Sequence, residues 1–233
     1  MAAHRSAGRL ADAAAGRRRG GGVGRPRSQA CRLDAAVISR LTPDDLTAAA
    51  GALACDLPAV KAVIAVESGG RGMGDDGRPI ILFEPHVFSR LTQGRFDDQA
   101  PDISYEKWGA LPYPKTQAEQ WARLKRASVL DHEAALSATS WGLFQIMGHN
   151  AGFCGFGSLE EPDVPAFTLA MARGEPAQLA AFVAFLKAKG LDQPLRRHDW
   201  STFARGYNGP RYMVNAYNTK LADAWRKAGG KET

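Results

Sequence analysis

From Thr42 onward the apolar positions fall into helical spacing. "TPDDL" at 42–46 has the form of a helix start, with a threonine N-cap, proline at the first helical position and acids in the first turn. This first helix is predicted to run to Leu53. Asp56 caps a second, in which Leu57, Val60, Val63, Ile64 and Val66 make an apolar face. Gly69 and Gly70 end it, because glycine accepts the left-handed backbone found just past a helix. "DDGRP" at 75–79 signals a turn, and "IILFE" at 80–84 a short strand. Residues 94–115, with Pro101, Pro112 and Pro114, read as a long loop. A helix is predicted from about Thr116 to Ala138, then a short one through "SWGLFQIMG" at 140–148. "EEPDVPA" at 160–166 interrupts the pattern. Residues 175–189 predict an amphipathic helix, with Leu179, Phe182, Val183 and Leu186 on one stripe and Gly190 as its stop. Asp199 caps a helix aligning Trp200, Phe203, Ala204 and Tyr207, and a last helix carries Tyr217, Leu221 and Ala224. The expected class is mainly α (α+β), with a small β element after the second helix.

No such period runs through the N-terminal residues. "GRRRGGGVGRPR" at 16–27 is rich in Gly and Arg, so residues 1–33 are expected to be a disordered basic tail and residues 34–233 one domain. The net charge of +6 at first suggests nucleic acid. Its distribution argues otherwise. Residues 1–28 hold seven arginines against one acid, Asp12, and the rest of the chain balances at 23 basic and 23 acidic residues. The folded part therefore has no surplus of positive charge for a phosphate backbone. The tail reads as a bland leader, as a polycation for an anionic envelope, or as a nucleic-acid arm. Three widely spaced cysteines, Cys31, Cys55 and Cys154, argue against a disulfide scaffold, and no Cys/His cluster has metal-ligand spacing. No apolar run approaches a membrane span, and the arginines at the N-terminus precede no apolar stretch of the secretory kind.

The chemistry begins at "VIAVESGGRG", 63–72, where an apolar run stops at Glu67. A helix C-terminus carries partial negative charge, and apolar neighbours desolvate the ionised form. Both raise a carboxyl pKa, which suits a general acid. The two glycines leave room for a bulky ligand. The bland alternative is a solvated glutamate at a frayed helix end. A second acid, Glu84, closes the predicted strand and precedes Pro85-His86. Two such acids are the raw material of glycoside hydrolysis, or else Glu84 serves in a salt bridge or loop cap. Gln145 sits three residues after Gly142 on an otherwise apolar element, and Tyr207-Asn208 stand just before a Gly-Pro stop. Amides bond sugar hydroxyls and N-acetyl groups, and tyrosine offers a stacking face. Gln145 reads equally as a buried amide bonded to backbone, and Tyr207 as a core aromatic.

Taken together, Glu67-Ser68, then Gly142-Leu143-Phe144-Gln145, then Tyr207-Asn208 resemble the E-S, G-L-x-Q and Y-N series of lytic transglycosylases and goose-type lysozymes. "AVESGGRG", "DGRPIILFEPHVFSRLT", "SWGLFQIMG", "AFVAFLKAKGL" and "DWSTFARGYNGPRYMVNAYNTKLADAW" are more closely similar to the N-acetylmuramidase domain of phage and prophage endolysins of Gram-negative hosts. The likeness spans roughly residues 42–226. It implies a lysozyme-like fold with a small β-hairpin after the catalytic helix. It implies cleavage of the β-1,4 bond between N-acetylmuramic acid and N-acetylglucosamine, without a cofactor. It maps the general acid onto Glu67 and a second acid onto Glu84, and it places Ser68, Gln145, Tyr207 and Asn208 along the sugar cleft. "GSLEEPDVPAFTLAM" departs from the pattern, with extra proline-containing residues where a shorter link into a helix is expected. The expected partner is the peptidoglycan glycan strand, met by a monomer with no specific nucleic acid, and the tail adds a contact to an anionic outer-membrane surface. Synthesis is expected in the cytoplasm, with action in the periplasm after holin-type release. Two rivals share part of this reading. One is a lytic transglycosylase leaving 1,6-anhydromuramyl ends, and the other a non-catalytic wall-binding or structural module.

Overall fold

A computed structural model describes residues 38–210 and 212–231, so the tail assigned to residues 1–33 lies outside the described residues. Helix α1 (Pro43–Leu53) begins at a reciprocal cap. The Thr42 hydroxyl accepts the Asp45 N–H at 3.2 Å, and the Asp45 carboxylate accepts the Thr42 N–H at 2.8 Å. Helix α2 (Leu57–Ser68) starts at Asp56, whose carboxylate accepts the Ala59 N–H at 3.0 Å and the Trp225 indole N–H at 2.8 Å. It ends at Gly69, with φ +62°. A turn closed by the pairing of Met73 with Pro79 leads into strand β1 (Ile81–Phe83). Helix α3 (Pro85–Leu91) follows at once, and its seven residues are too few for a hydrophobic period to reveal.

Two predicted helices are corrected. The span 116–138 divides at Asp131 into α4 (Gln117–Leu130) and α5 (His132–Ser137). Asp131 is extended, at φ −156° and ψ 106°; its N–H completes α4 while its carboxylate caps the Ala134 N–H at 3.0 Å. "SWGLFQIMG" is not a helix. It forms strand β2 (Thr139–Trp141), a 3-10 turn (Gly142–Phe144) and strand β3 (Ile146–Met147). Gly142 at φ +67° and Gln145 at φ +48° are both left-handed, which a right-handed helix does not admit. The strand partner comes from far back in the chain. Strand β1 pairs antiparallel with β2, Ile81 opposite Trp141 and Phe83 opposite Thr139, and β2 pairs with β3. The β element is thus a three-stranded sheet in the order β1-β2-β3.

A 3-10 segment (Gly148–Cys154) follows. The proline-containing link beyond it is an ordered turn. Gly157 pairs with Pro162, and Asp163 then caps α6 (Val164–Ala172). Helices α7 (Glu175–Ala188), α8 (Asp192–Arg196), α9 (Trp200–Asn208) and α10 (Tyr217–Lys227) complete the described chain. Helix α2 is the central element, packed by α1, α10 and the 142–144 turn. Phe144 of that turn stacks on Phe182 of α7 at 4.0 Å between ring centres. Each phenyl ring buried this way contributes roughly 1.5–3 kcal/mol.

Helix α7 is not a simple apolar stripe. Its Leu179, Phe182 and Leu186 are buried as expected, and so are Glu175 and Gln178. The Glu175 carboxylate accepts the Arg40 guanidinium at 2.7 Å, the Gly72 N–H at 3.0 Å and the Leu41 N–H at 3.1 Å. Gln178 accepts the Leu143 N–H at 2.8 Å and donates to the Met171 carbonyl at 2.9 Å. Replacing Gln178 by leucine keeps its bulk and orphans both backbone groups. At about 1–3 kcal/mol for a buried unsatisfied group, the expected loss is roughly 3 kcal/mol of unfolding free energy. Urea titration of Gln178→Leu against wild type measures it, and a change below about 1 kcal/mol contradicts the assignment.

Candidate active site

Glu67 continues the buried stripe of α2. Val60 and Val63 lie on the same face and are fully buried, and Glu67 comes four residues after Val63, at the end of that stripe. Its carboxyl is partly buried, and burial pushes its pKa up to about 7. The one side-chain hydrogen bond that opposes this comes from Asn208. Its amide N–H donates to Glu67 Oε1 at 3.1 Å, which favours the ionised form. Asn208 closes α9, so helices 141 residues apart meet at this bond. Two open grooves of about 460 and 470 Å³ also border α2. Both are lined by Lys61 and Ala65, on the side of the helix turned away from Glu67, and neither bears on its chemistry.

Glu84 stands between β1 and α3. Its N–H donates to the Ala138 carbonyl at 2.9 Å, and its carbonyl accepts from Val87 and Phe88, so the backbone holds it rigidly. The carboxylate makes no cap to α3. It accepts the hydroxyl of Tyr113 instead, and His86 Nδ1 lies 3.3 Å from the same oxygen. Burial raises its pKa, and the Tyr113 bond lowers it. Tyr217, the first residue of α10, senses both acids: after burial, Glu67 and then Glu84 push its phenol upward. Desolvation leads the shift of each carboxylate.

The other expected site residues take different duties. Ser68 donates to the Ile64 carbonyl at 3.2 Å and accepts the Gly70 N–H at 3.3 Å, so it finishes the helix. Gln145 accepts from the Ser140 hydroxyl at 2.9 Å and donates to the Gly142 carbonyl at 2.8 Å and the Ile80 carbonyl at 3.4 Å. Its amide is thus committed to the turn that carries it. Tyr207 donates to the Phe144 carbonyl at 2.7 Å, stacks on Phe203 and meets Phe182 and Phe185 edge-on. Its ring is partly buried and packs against the aromatic core. Of the six candidates, Glu67 and Asn208 are in direct contact, and Glu84 is held separately by Tyr113 and His86.

A family model for N-acetylmuramidase matches residues 56–229, which takes in every one of these positions. The chain belongs to the N-acetylmuramidase family. It is a glycoside hydrolase acting on peptidoglycan, at the β-1,4 bond between N-acetylmuramic acid and N-acetylglucosamine. The crystal structure of the Burkholderia AP3 phage endolysin is similar over 82% of this chain and 71% of that one, at 42% identity and a TM-score of 0.68. The comparison with curated proteins finds no match.

Three residues of this muramidase escaped the sequence reading. Tyr113 lay in a segment read only as loop, though Pro112 and Pro114 on either side mark a stiff, placed stretch. His86 directly follows the Glu84-Pro85 pair. Tyr217 was placed only on the last helix, with Leu221 and Ala224, although both acids push its phenol upward. Tyr207→Phe tests what the hydroxyl of Tyr207 contributes. Loss of its bond to Phe144 is expected to lower stability by about 1 kcal/mol, measured by chemical denaturation.

Proposed function

We propose that Glu67 is the general acid of this muramidase and that Glu84 acts on the water that completes hydrolysis. The observation carrying this is the Glu67 carboxyl itself. It titrates near 7, at the end of a buried helical stripe, and an amide donor from a second helix orients it. In its protonated form it gives its proton to the glycosidic oxygen as the bond to the muramyl anomeric carbon breaks. Positive charge then spreads over that carbon and the ring oxygen. Water adds to the carbon, and its proton passes toward Glu84, whose ionised form the Tyr113 hydroxyl supports. Asn208 keeps Glu67 in place and, once the proton has left, stabilises its carboxylate. Ser68, Gln145 and Tyr207 act one step removed, by fixing the backbone around the cleft.

The similarity to the AP3 phage endolysin supports a role in lysing the cell wall at the end of a phage cycle. With it go a single catalytic domain over 34–233, a monomeric enzyme, cytoplasmic synthesis and release through a holin-type pore. The seven arginines within residues 1–28 support a contact of the tail with the anionic outer-membrane surface.

Glu67→Gln is expected to abolish turbidity loss of outer-membrane-permeabilised cells while circular dichroism stays unchanged. Mass spectrometry of muropeptides released by the wild-type enzyme is expected to show reducing ends. Anhydro ends, lighter by one water, would replace hydrolysis by transglycosylation. The pH dependence follows from the sign of the shift. A general acid works while protonated, so activity is expected to fall as pH rises through about 7. It is also expected to fall as pH drops through the raised pKa of Glu84. Asn208→Leu removes a donor that favours the ionised Glu67, so the alkaline limb is expected to move to higher pH. A limb that stays in place rejects the Asn208 assignment.

A further inference from the structure

Between α3 and α4 the chain runs without a regular element, yet both ends of this segment are pinned. Asp97 accepts the hydroxyls of Ser89 and Ser104, and Arg126 grips both oxygens of Asp102. At the far end Gln120 donates to the Pro114 carbonyl at 3.3 Å. Between these anchors the chain makes one tight turn. The Ala110 N–H donates to the Lys107 carbonyl at 3.1 Å, and Gly109 holds the third position at φ +73°. That is the arrangement of a type II turn, which needs glycine there and thrusts its second residue outward. The second residue is Trp108, and its side chain is 49% exposed.

Singly exposed apolar residues such as Val129, Leu159 and Leu169 occur elsewhere on the surface and need no explanation. Trp108 differs from them in what it stands beside. Its indole lies beside Tyr113 and favours the ionised phenol, and the Tyr113 hydroxyl donates to Glu84. The side chain thus stands next to the support of that acid while remaining exposed. An indole carries a negative π face, a large apolar area and only two side-chain torsions to order. The C–H face of a pyranose ring is its natural complement.

We propose that Trp108 is a saccharide platform, stacking on the N-acetylhexosamine that occupies the cleft beside Glu84. This rests on the muramidase reading and goes beyond it by placing a sugar ring on the 107–113 turn. Trp108 is a binding residue, and it takes no proton.

Steady-state kinetics on solubilised peptidoglycan strands test the platform. Trp108→Ala is expected to raise KM about five- to tenfold, the range set by loss of one aromatic contact, with kcat within about twofold and the melting temperature unchanged. Trp108→Phe keeps a stacking face and is expected to restore most of the affinity. A second readout uses fluorescence in the Glu67→Gln background, where strands bind without turnover. Binding is expected to shift the emission of the exposed indole, and the shift to vanish when Trp108→Phe is added. A wild-type KM in Trp108→Ala, or an emission shift that survives Trp108→Phe, overturns the platform. So does a Trp108-dependent shift produced by anionic lipid vesicles and not by glycan strands. None of these results touches the muramidase reading, which fails only if Glu67→Gln still lyses cells.

Discussion

The buried carboxylate of Glu175 is the constraint on which the rest of the structure turns. A charge 4% exposed is tolerable only if donors surround it. Here they come from Arg40, Leu41 and Gly72, three points separated from it by more than a hundred residues. One helical turn later Gln178 repeats the device toward Leu143 and Met171. Helix α7 thereby ties down the segment before α1, the turn after α2 and the 142–144 turn. The glycines follow from it. A Cβ on Gly72 would lie 2.2 Å from the Gln178 amide oxygen, and one on Gly142 would lie 2.4 Å from its amide carbon. Both positions admit glycine alone because the Gln178 amide fills the space a side chain needs.

That scaffold explains how a carboxyl with an awkward pKa is held in place. Helix α2 is fixed at its start by Trp225 on Asp56 and at its end by Asn208 on Glu67. Both donors lie late in the chain, so α2 is clasped by the C-terminal helices. An ionisable group on a buried stripe costs stability when charged, and the packing of Val60 and Val63 offsets it. The general-acid role proposed for Glu67 needs that cost, since the same desolvation raises its pKa to about 7.

How much of this could be read from sequence depended on the range of the interaction. The caps at Thr42, Asp56 and Asp199 are local, and α1, α2, α9 and α10 start or stop close to where those residues and the flanking glycines put them. Glu67 and Glu84 stood out as candidates for a similarly local reason, each standing at the end of a short apolar run. "SWGLFQIMG" was misread because its first strand pairs with β1, 58 residues upstream across the Leu82–Ser140 pairing, and no local period encodes that partner. Tyr113 and Tyr217 were missed for a related reason, since nothing near either residue in the chain announces the acid it faces.

The fate of Gln145 and Tyr207 carries the lesson furthest. Their amide and hydroxyl are the groups one would assign to sugar, and the structure binds both to backbone carbonyls. Tyr207 reaches Phe144, the residue next to Gln145, so the two motifs brace each other. Asn208, the next residue after Tyr207, is what reaches Glu67. The G-L-x-Q and Y-N motifs are therefore legible as marks of the frame that aims one amide at one carboxyl.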